Sequence, residues 1–309
     1  MKAFWCLGLL LKMSLAVVST AKNGSERELI QDNHFRRGFI LWEPKPGKHV
    51  RYGELKGIDE STPVWGLLQW SSKFPLAVSN EVRSNGSVIL SNAAKGIQIK
   101  DGFVFSMAAN SAIEYGPRAR VVSDPWVHLL VEQEFAQPAK LAELSSAQLH
   151  IEARLVRSRN LHQGDYSPDV HAAQFQIFFT VQNRNKQSKG FGDLLWFGIP
   201  IYDNRNRFAP EFKAQDFGGT AKFIFTPSGR TFATNSTHDG DWVVLDKDLR
   251  PLMREALETA WARGFLKGSK AIEDYYIGGM NMGWELPGTF DVEMQVRNLS
   301  LMIKPQVAR

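Results

Sequence analysis

Cysteine is almost missing: the 309-residue chain contains one, Cys6, inside an apolar leader. That excludes a disulfide framework and thiol chemistry from the rest of the chain, so a hydrophobic core alone must hold the fold. No apolar run beyond the leader is long enough to cross a bilayer as a helix. No run of lysine and arginine tracks a phosphate backbone, so nucleic acid is not expected as a partner. The seven histidines show no tight ligand spacing, which argues against a zinc site. No G-x-S-x-G, phosphate-loop or dinucleotide motif is present. No cofactor is expected. Only "THDGDW" (237–242), with His238, Asp239 and Asp241, offers oxygens to a structural calcium, and it lacks the EF-hand spacing.

What is present begins with "MKAFWCLGLLLKMSLAVVSTAK". An early lysine, an apolar stretch and a small-residue end form the pattern of a secretory signal peptide, expected to be cut after Ala21. Lys12 interrupts the apolar run, which argues against a permanent span. The expected location is secreted or periplasmic, with no membrane insertion after cleavage. Loss of residues 1–21 takes the formal charge from +5 to +3, too mild an excess to select a partner. Sequons at Asn23, Asn85, Asn235 and Asn298 matter only in a eukaryotic source. Residues 22–60, richer in charge, Pro and Gly, read as an arm or as the edge of the main domain. That domain is expected over 61–304, with a tail at 305–309.

The remaining chain, 43% hydrophobic and 22% charged overall, is long enough to bury a substantial core. It reads as short strands punctuated by Gly, Asn, Asp and Pro. They fall at 86–91, 96–100, 102–107, 111–116, 125–135, 148–156, 171–183, 194–202, 221–226, 241–246 and 289–304. The Asp101-Gly102 step signals a hairpin. A phase shift in the last strand implies a bulge near Arg297-Asn298. Many short strands at this spacing predict an antiparallel β-sandwich or jelly roll. One amphipathic helix is expected at about 248–263. Leu249, Leu252, Met253, Ala256, Leu257, Ala260 and Trp261 recur on one side, Asp248 caps it, Pro251 sits in the first turn and Gly264 ends it.

Four strands carry a polar row opposite their apolar row. In 125–135, Trp126, His128, Glu132 and Glu134 oppose Val127, Leu129, Val131 and Phe135. In 148–155 the polar row is Gln148, His150, Glu152 and Arg154. In 171–182 it is Gln174, Gln176, Thr180 and Gln182 with Phe178, and in 194–202 it is Trp196, Gly198 and Tyr202. Placed side by side, these rows would form a glycan groove, with flat rings to stack on sugars and polar groups to meet hydroxyls. A solvated outer face is the plainer alternative. Glu132 and Glu134 lie about 6–7 Å apart along a strand, within the range of carboxyl pairs in glycosidases. Tyr202 and Arg205 form a polar rim. The stretch "IGGMNMGWELPG" (277–288) reads as a loop whose glycines allow close backbone approach, with Trp284 and Glu285 between them, and Trp284 reads as a core plug.

The layout resembles the jelly-roll, concanavalin A-like polysaccharide-active proteins over about 60–304. The resemblance implies either of two chemistries. Retaining glucanases of that group carry E-x-D-x-x-E on one strand, where this chain has "EQEFAQ" (132–137) without the aspartate. Jelly-roll lyases use His, Tyr, Arg and Gln on uronates, and "QLH" (148–150) looks like a fragment of one such motif. The expected function is binding and cleavage of a polysaccharide, glycoside hydrolase-like, with Glu132 and Glu134 as catalytic candidates. The alternatives are a lyase, with His150 as base and Arg154 and Tyr202 assisting, or a non-catalytic carbohydrate-binding protein. The substrate-binding candidates are Trp126, His128, Glu152, Arg154, Gln174, Gln176, Trp196, Tyr202 and Arg205.

Overall fold

The computed structural model describes residues 25–101, 103–116, 118–217 and 219–306. The expected leader, with Cys6 and its cut after Ala21, and the Asn23 sequon lie outside the described residues. Among the described residues no helix is long and apolar enough to cross a membrane.

Alternation of apolar and polar residues builds two sheets that bury their apolar sides against each other. The eight-stranded sheet runs β15 (Val243–Asp248), β10 (Leu144–Asn160), β17 (Phe290–Pro305), β8 (Val104–Asn110), β7 (Lys95–Lys100), β6 (Ser87–Ser91) and β5 (Glu81–Ser84), with β1 (Arg27–Glu28) also pairing with β17. The nine-stranded sheet runs β13 (Phe212–Gln215), β14 (Phe223–Thr226), β12 (Leu194–Asp203), β11 (Gln174–Asn183), β16 (Tyr275–Leu286), β9 (Val127–Lys140), β4 (Trp65–Leu68), β2 (Gly38–Trp42) and β3 (Arg51–Lys56). Pairing is antiparallel except for β12 with β14 and β2 with β4. The molecule is thus a mainly β sandwich of jelly-roll type with one packed helix.

Leu149, Ile151 and Ala153 of β10 and Phe175, Ile177, Phe179 and Val181 of β11 are fully buried in one core. Each large side chain of that core is worth about 1.5–3 kcal/mol of burial. Trp284 is among them: it is fully buried and its indole N–H donates to the Met107 carbonyl at 2.9 Å. The helix, α2 (Arg250–Ala262), buries Met253, Ala256, Leu257 and Ala260. Leu249 occupies the N-cap position. Asp248 accepts from the amides of Arg250 and Ala147, so one carboxylate ties the helix start to β10.

One departure from the sequence reading has a local cause. Residues 111–115 form a short helix, α1 (Ser111–Tyr115), capped by the Asn110 side chain, where a strand was expected. Asn298, at φ 54°, sits in the expected bulge, where pairing slips between His150↔Ser300 and Glu152↔Arg297. Residues 27–56, expected as an arm or domain edge, supply β1, β2 and β3.

Candidate site on the outer face of the nine-stranded sheet

Strand register fixes which polar side chains meet. On the outer side of the nine-stranded sheet, four transverse rows cross β9, β16, β11 and β12. One row is His128, Glu285, Gln174 and Asp203. The next is Leu130, Gly283, Gln176 and Pro200. The third is Glu132, Asn281, Phe178 and Gly198, extended by Gly66 on β4. The fourth is Glu134, Gly279, Thr180 and Trp196. The expected polar rows of β9, β11 and β12 therefore do lie side by side.

The fourth expected row does not join them. His150, Glu152 and Arg154 stand on β10, in the other sheet, and face outward from the opposite side of the sandwich. Their groups are engaged there: His150 meets Asp246 at 3.0 Å, Glu152 holds Arg297 at 2.6 Å, and Arg154 donates to Gln295 at 2.6 Å. Alternation along one strand reveals a polar side but not which sheet the strand enters. Tyr202 is a second correction. Pairing slips between Phe175↔Tyr202 and Gln176↔Pro200, so the extra residue turns Tyr202 into the core. There it is 5% exposed and donates to the Ser158 hydroxyl at 2.8 Å. Arg205 is spent on Asp203, through Nε at 2.9 Å and Nη2 at 2.6 Å, and on the Pro168 carbonyl. Asp203 also accepts from Gln174 Nε2 at 3.0 Å.

Glycine lets rings lie across this face. A Cβ on Gly66 would collide with the Trp42 indole and press on Glu132. A Cβ on Gly198 would meet Thr226 and the Phe178 ring. Phe178 in turn stands edge-on to Trp196, centroids 6.3 Å apart. Trp70 and Trp126 flank His128 at 5.5 and 6.5 Å, and Trp126 is 42% exposed. The indole N–H of Trp70 is buried with no hydrogen-bond partner, and that of Trp42 is buried beside the Glu132 carboxyl, which it helps to hold down. An orphaned donor costs about 1–3 kcal/mol, and such costs are typically retained at functional sites.

The titratable groups are distinctly perturbed. Desolvation pushes the Glu285 carboxyl up to about 7, and the charge of Asp216 adds to the effect. Desolvation drives His128 down to about 4, opposed by its contact with the Trp126 carbonyl and by Asp216. The two groups stand 3.9 Å apart, with side chains 18% and 15% exposed. Held well below its ordinary range, His128 is uncharged at neutral pH, so this contact is not an ion pair. Glu132 is also raised by desolvation, offset by His49, whose Nε2 lies 2.7 Å away. Glu134 on the same strand is exposed and contributes repulsion.

Asp216 sits at the tip of the β13–β14 hairpin, on the sheet's edge, five strands from the β9 that carries His128. Thr220 of the same hairpin accepts from Trp196 Nε1 at 3.0 Å, which lays the hairpin loop against the outer face at Trp196.

Several of these groups escaped the sequence reading or were placed differently by it. Glu285, expected in a loop, and Asn281 both lie on β16, where Gly278, Gly279 and Gly283 blur the two-residue period. The buried set Ile277, Met280, Met282, Trp284 and Leu286 was the available signal. Trp42, His49, Trp70 and Asp216 lie in short strands or loops without any periodic signature. The calcium-like turn is consumed internally: Asp239 pairs with Arg207 at 2.6 Å, and His238 Nε2 contacts the carbonyls of Asp203 and Asn206. Among the described residues no group of three His, Cys, Asp or Glu side chains is placed to hold a metal ion.

No protein-family model matches the chain, and no curated protein matches it in sequence. Solved structures similar to it include a native family 12 xyloglucanase from Bacillus licheniformis, at 10% identity and a TM-score of 0.42, covering 74% of this chain and 99% of that one. An endoglucanase from Rhodothermus marinus is 11% identical with a TM-score of 0.39, covering 78% and 99%. The xyloglucanase domain of a type three effector from Sinorhizobium fredii, in complex with cellobiose, is 10% identical with a TM-score of 0.40, covering 74% and 98%.

Proposed function

We propose that the outer face of the nine-stranded sheet binds a polysaccharide chain and cleaves it by hydrolysis, with Glu285 as proton donor. One observation carries this reading: the transverse rows set Glu285, Gln174, Gln176 and Asn281 among the rings of Trp42, Trp70, Trp126, Phe178 and Trp196. Flat rings stack on the apolar faces of sugars, while amides and carboxyls exchange hydrogen bonds with hydroxyls. A carboxyl poised near 7 retains a proton for a departing glycosidic oxygen at neutral pH. The apolar leader supports action outside the cell or in the periplasm.

A second reading, binding without cleavage, rests on a specific feature. The strand neighbours of Glu285 are His128, Gln174 and Gln176, whereas glycosidic hydrolysis ordinarily uses two carboxyls. The lyase alternative has lost its residues, since His150 and Arg154 face away on the other sheet and Tyr202 is in the core.

The test is a panel of neutral and uronate-containing polysaccharides, followed by reducing-end release, by absorbance of unsaturated products and by retardation in affinity gels. Reducing ends without unsaturation support hydrolysis. Retardation alone supports a binding protein, and unsaturated products support a lyase. Silence in all three channels overturns the groove.

A further inference from the structure

Resting on the glycan-groove reading above, we propose that Lys95 and Glu114, a buried ion pair, are positioning residues of the groove. They fix the loop after β4 so that Trp70 stands against His128 as a wall for the sugar chain. Trp70 belongs to the outer face of the nine-stranded sheet. Gly66 and Leu68 of β4 pair with Glu132 and Leu130 of β9, and the Trp70 carbonyl continues the ladder by accepting from the His128 amide at 3.1 Å. Its indole, half-buried, meets the His128 ring edge-on at 5.5 Å. Beyond Trp70 the chain leaves the sheet.

The loop is then held from the other sheet. Lys95 begins β7, and Glu114 lies on α1, directly after β8. Their side chains are 0% and 1% exposed. The Lys95 ammonium donates to Glu114 Oε1, to the Ser72 hydroxyl and to the Phe74 carbonyl, which uses all three of its protons. The Glu114 carboxylate accepts from the Ser72 hydroxyl at 2.8 Å and from the Lys73 amide at 2.7 Å. Asn92 Nδ2 adds a bond to the Phe74 carbonyl at 3.0 Å. Residues 72–74 are thereby clamped, two positions beyond Trp70. Ser71, the link between, donates its amide to the Pro44 carbonyl at 3.1 Å and is held at φ 60°. A residue with a Cβ seldom adopts that left-handed backbone, and it persists where the surrounding contacts dictate the turn.

Stability alone does not account for two buried charges. Apolar side chains of similar volume in place of such a pair are often neutral or stabilising, whereas loss of one partner strands a buried charge. What the pair supplies is direction, because its bonds to Ser72, Lys73 and Phe74 are satisfied together in one loop geometry. A binding side chain needs that, since its supporting shell must hold it to within about 0.5 Å of its productive place.

The experiment uses the full chain and, as probe, a polysaccharide of the panel that retards the wild type. Lys95→Met alone leaves the Glu114 carboxylate buried and unpaired. The informative variant is therefore Lys95→Met/Glu114→Leu, which removes both charges and should unfold cooperatively near the wild-type denaturant midpoint. Without ligand, its Trp70 indole N–H resonance should move or broaden and the nuclear Overhauser contact between the Trp70 and His128 rings should weaken, while the Trp196 resonance stays. Retardation should weaken roughly fivefold, as for Trp70→Ala. Adding Trp70→Ala to the double variant should weaken it no further. Ser72→Ala leaves both charges paired and removes only the hydroxyl between them and the loop. It should move the Trp70 resonance by less, and it decides the matter if the double variant does not fold. A Trp70 resonance unchanged from wild type in the folded variant overturns the proposal. So does a displaced Trp70 with retardation intact, which leaves the glycan groove standing. Retardation of the wild type by no polysaccharide removes the groove and the proposal with it.

Discussion

The two outer faces of this sandwich are built from the same alternating pattern and end in different chemical states. On the eight-stranded sheet most charged groups pair with one another, although Arg154 Nε is buried without a hydrogen-bond partner. Arg157 spans Asp291 and Glu293, Arg297 holds Glu152, and His150 meets Asp246. Trp242 lies under two guanidiniums, those of Arg154 and Arg297. On the nine-stranded sheet, amides, rings and carboxyls face one another with few charge partners, and Glu285 and His128 are held away from their ordinary titration ranges. A face whose charges largely pair with one another needs no ligand to explain it. The face that keeps desolvated carboxyls beside glycine-seated rings is the one we propose to bind a glycan.

The sharpest way to break this contrast is Glu285→Gln. Burial raises this carboxyl from 4.5 to about 7, so the folded state holds the proton more tightly than the unfolded chain. The resulting penalty is absent below about pH 4.5, grows as pH rises, and is complete above about pH 7, reaching about 3 kcal/mol. Glu285→Gln should therefore melt higher than wild type at pH 8 and equally at pH 4.5, while hydrolysis is lost. His128 has the opposite sign. Its neutral form is favoured on folding, so its contribution is present above about pH 6.5 and lost as pH falls toward 4.

Gly66→Ala comes next. The added methyl meets the Trp42 ring, and overpacking of this kind costs about 1–3 kcal/mol. Chemical denaturation should register that loss, and glycan retardation should weaken as the indole is displaced. Trp196→Ala should remove a stacking platform and the Thr220 anchor together, weakening binding by about 1 kcal/mol, roughly fivefold, in a calorimetric titration. The smallest effect is expected on the opposite face. Glu152→Gln should cost about 1 kcal/mol of stability or less and leave glycan binding and cleavage unchanged. A comparable loss of binding there would erase the distinction between the faces.

Much of the architecture was legible in the sequence because burial enforces a two-residue period. Phe175, Ile177 and Phe179 announce an inward side, and Met253, Ala256, Leu257 and Ala260 announce the helix. The polar sides of β9, β11 and β12 were legible for the same reason. Which strands are neighbours was not, because pairing of residues more than a hundred positions apart leaves no local trace. His150, Glu152 and Arg154 were assigned to the wrong side for this reason. Tyr202 was misplaced because a one-residue slip reverses every side chain beyond it. Glu285 was read as part of a glycine-rich loop because glycines interrupt the alternation of β16, and Asp216 was overlooked because a hairpin loop carries no period at all.

The most direct test of the central claim, that a glycan is bound on the nine-stranded face, is titration of ¹⁵N-labelled protein with neutral and uronate-containing oligosaccharides. The indole N–H resonances of Trp196, Trp126, Trp70, Trp42 and Trp242 are followed. Shifts are expected at Trp196 and its companions on that face, and none at Trp242 on the other sheet. Shifts confined to Trp242, or none with any oligosaccharide, would contradict it.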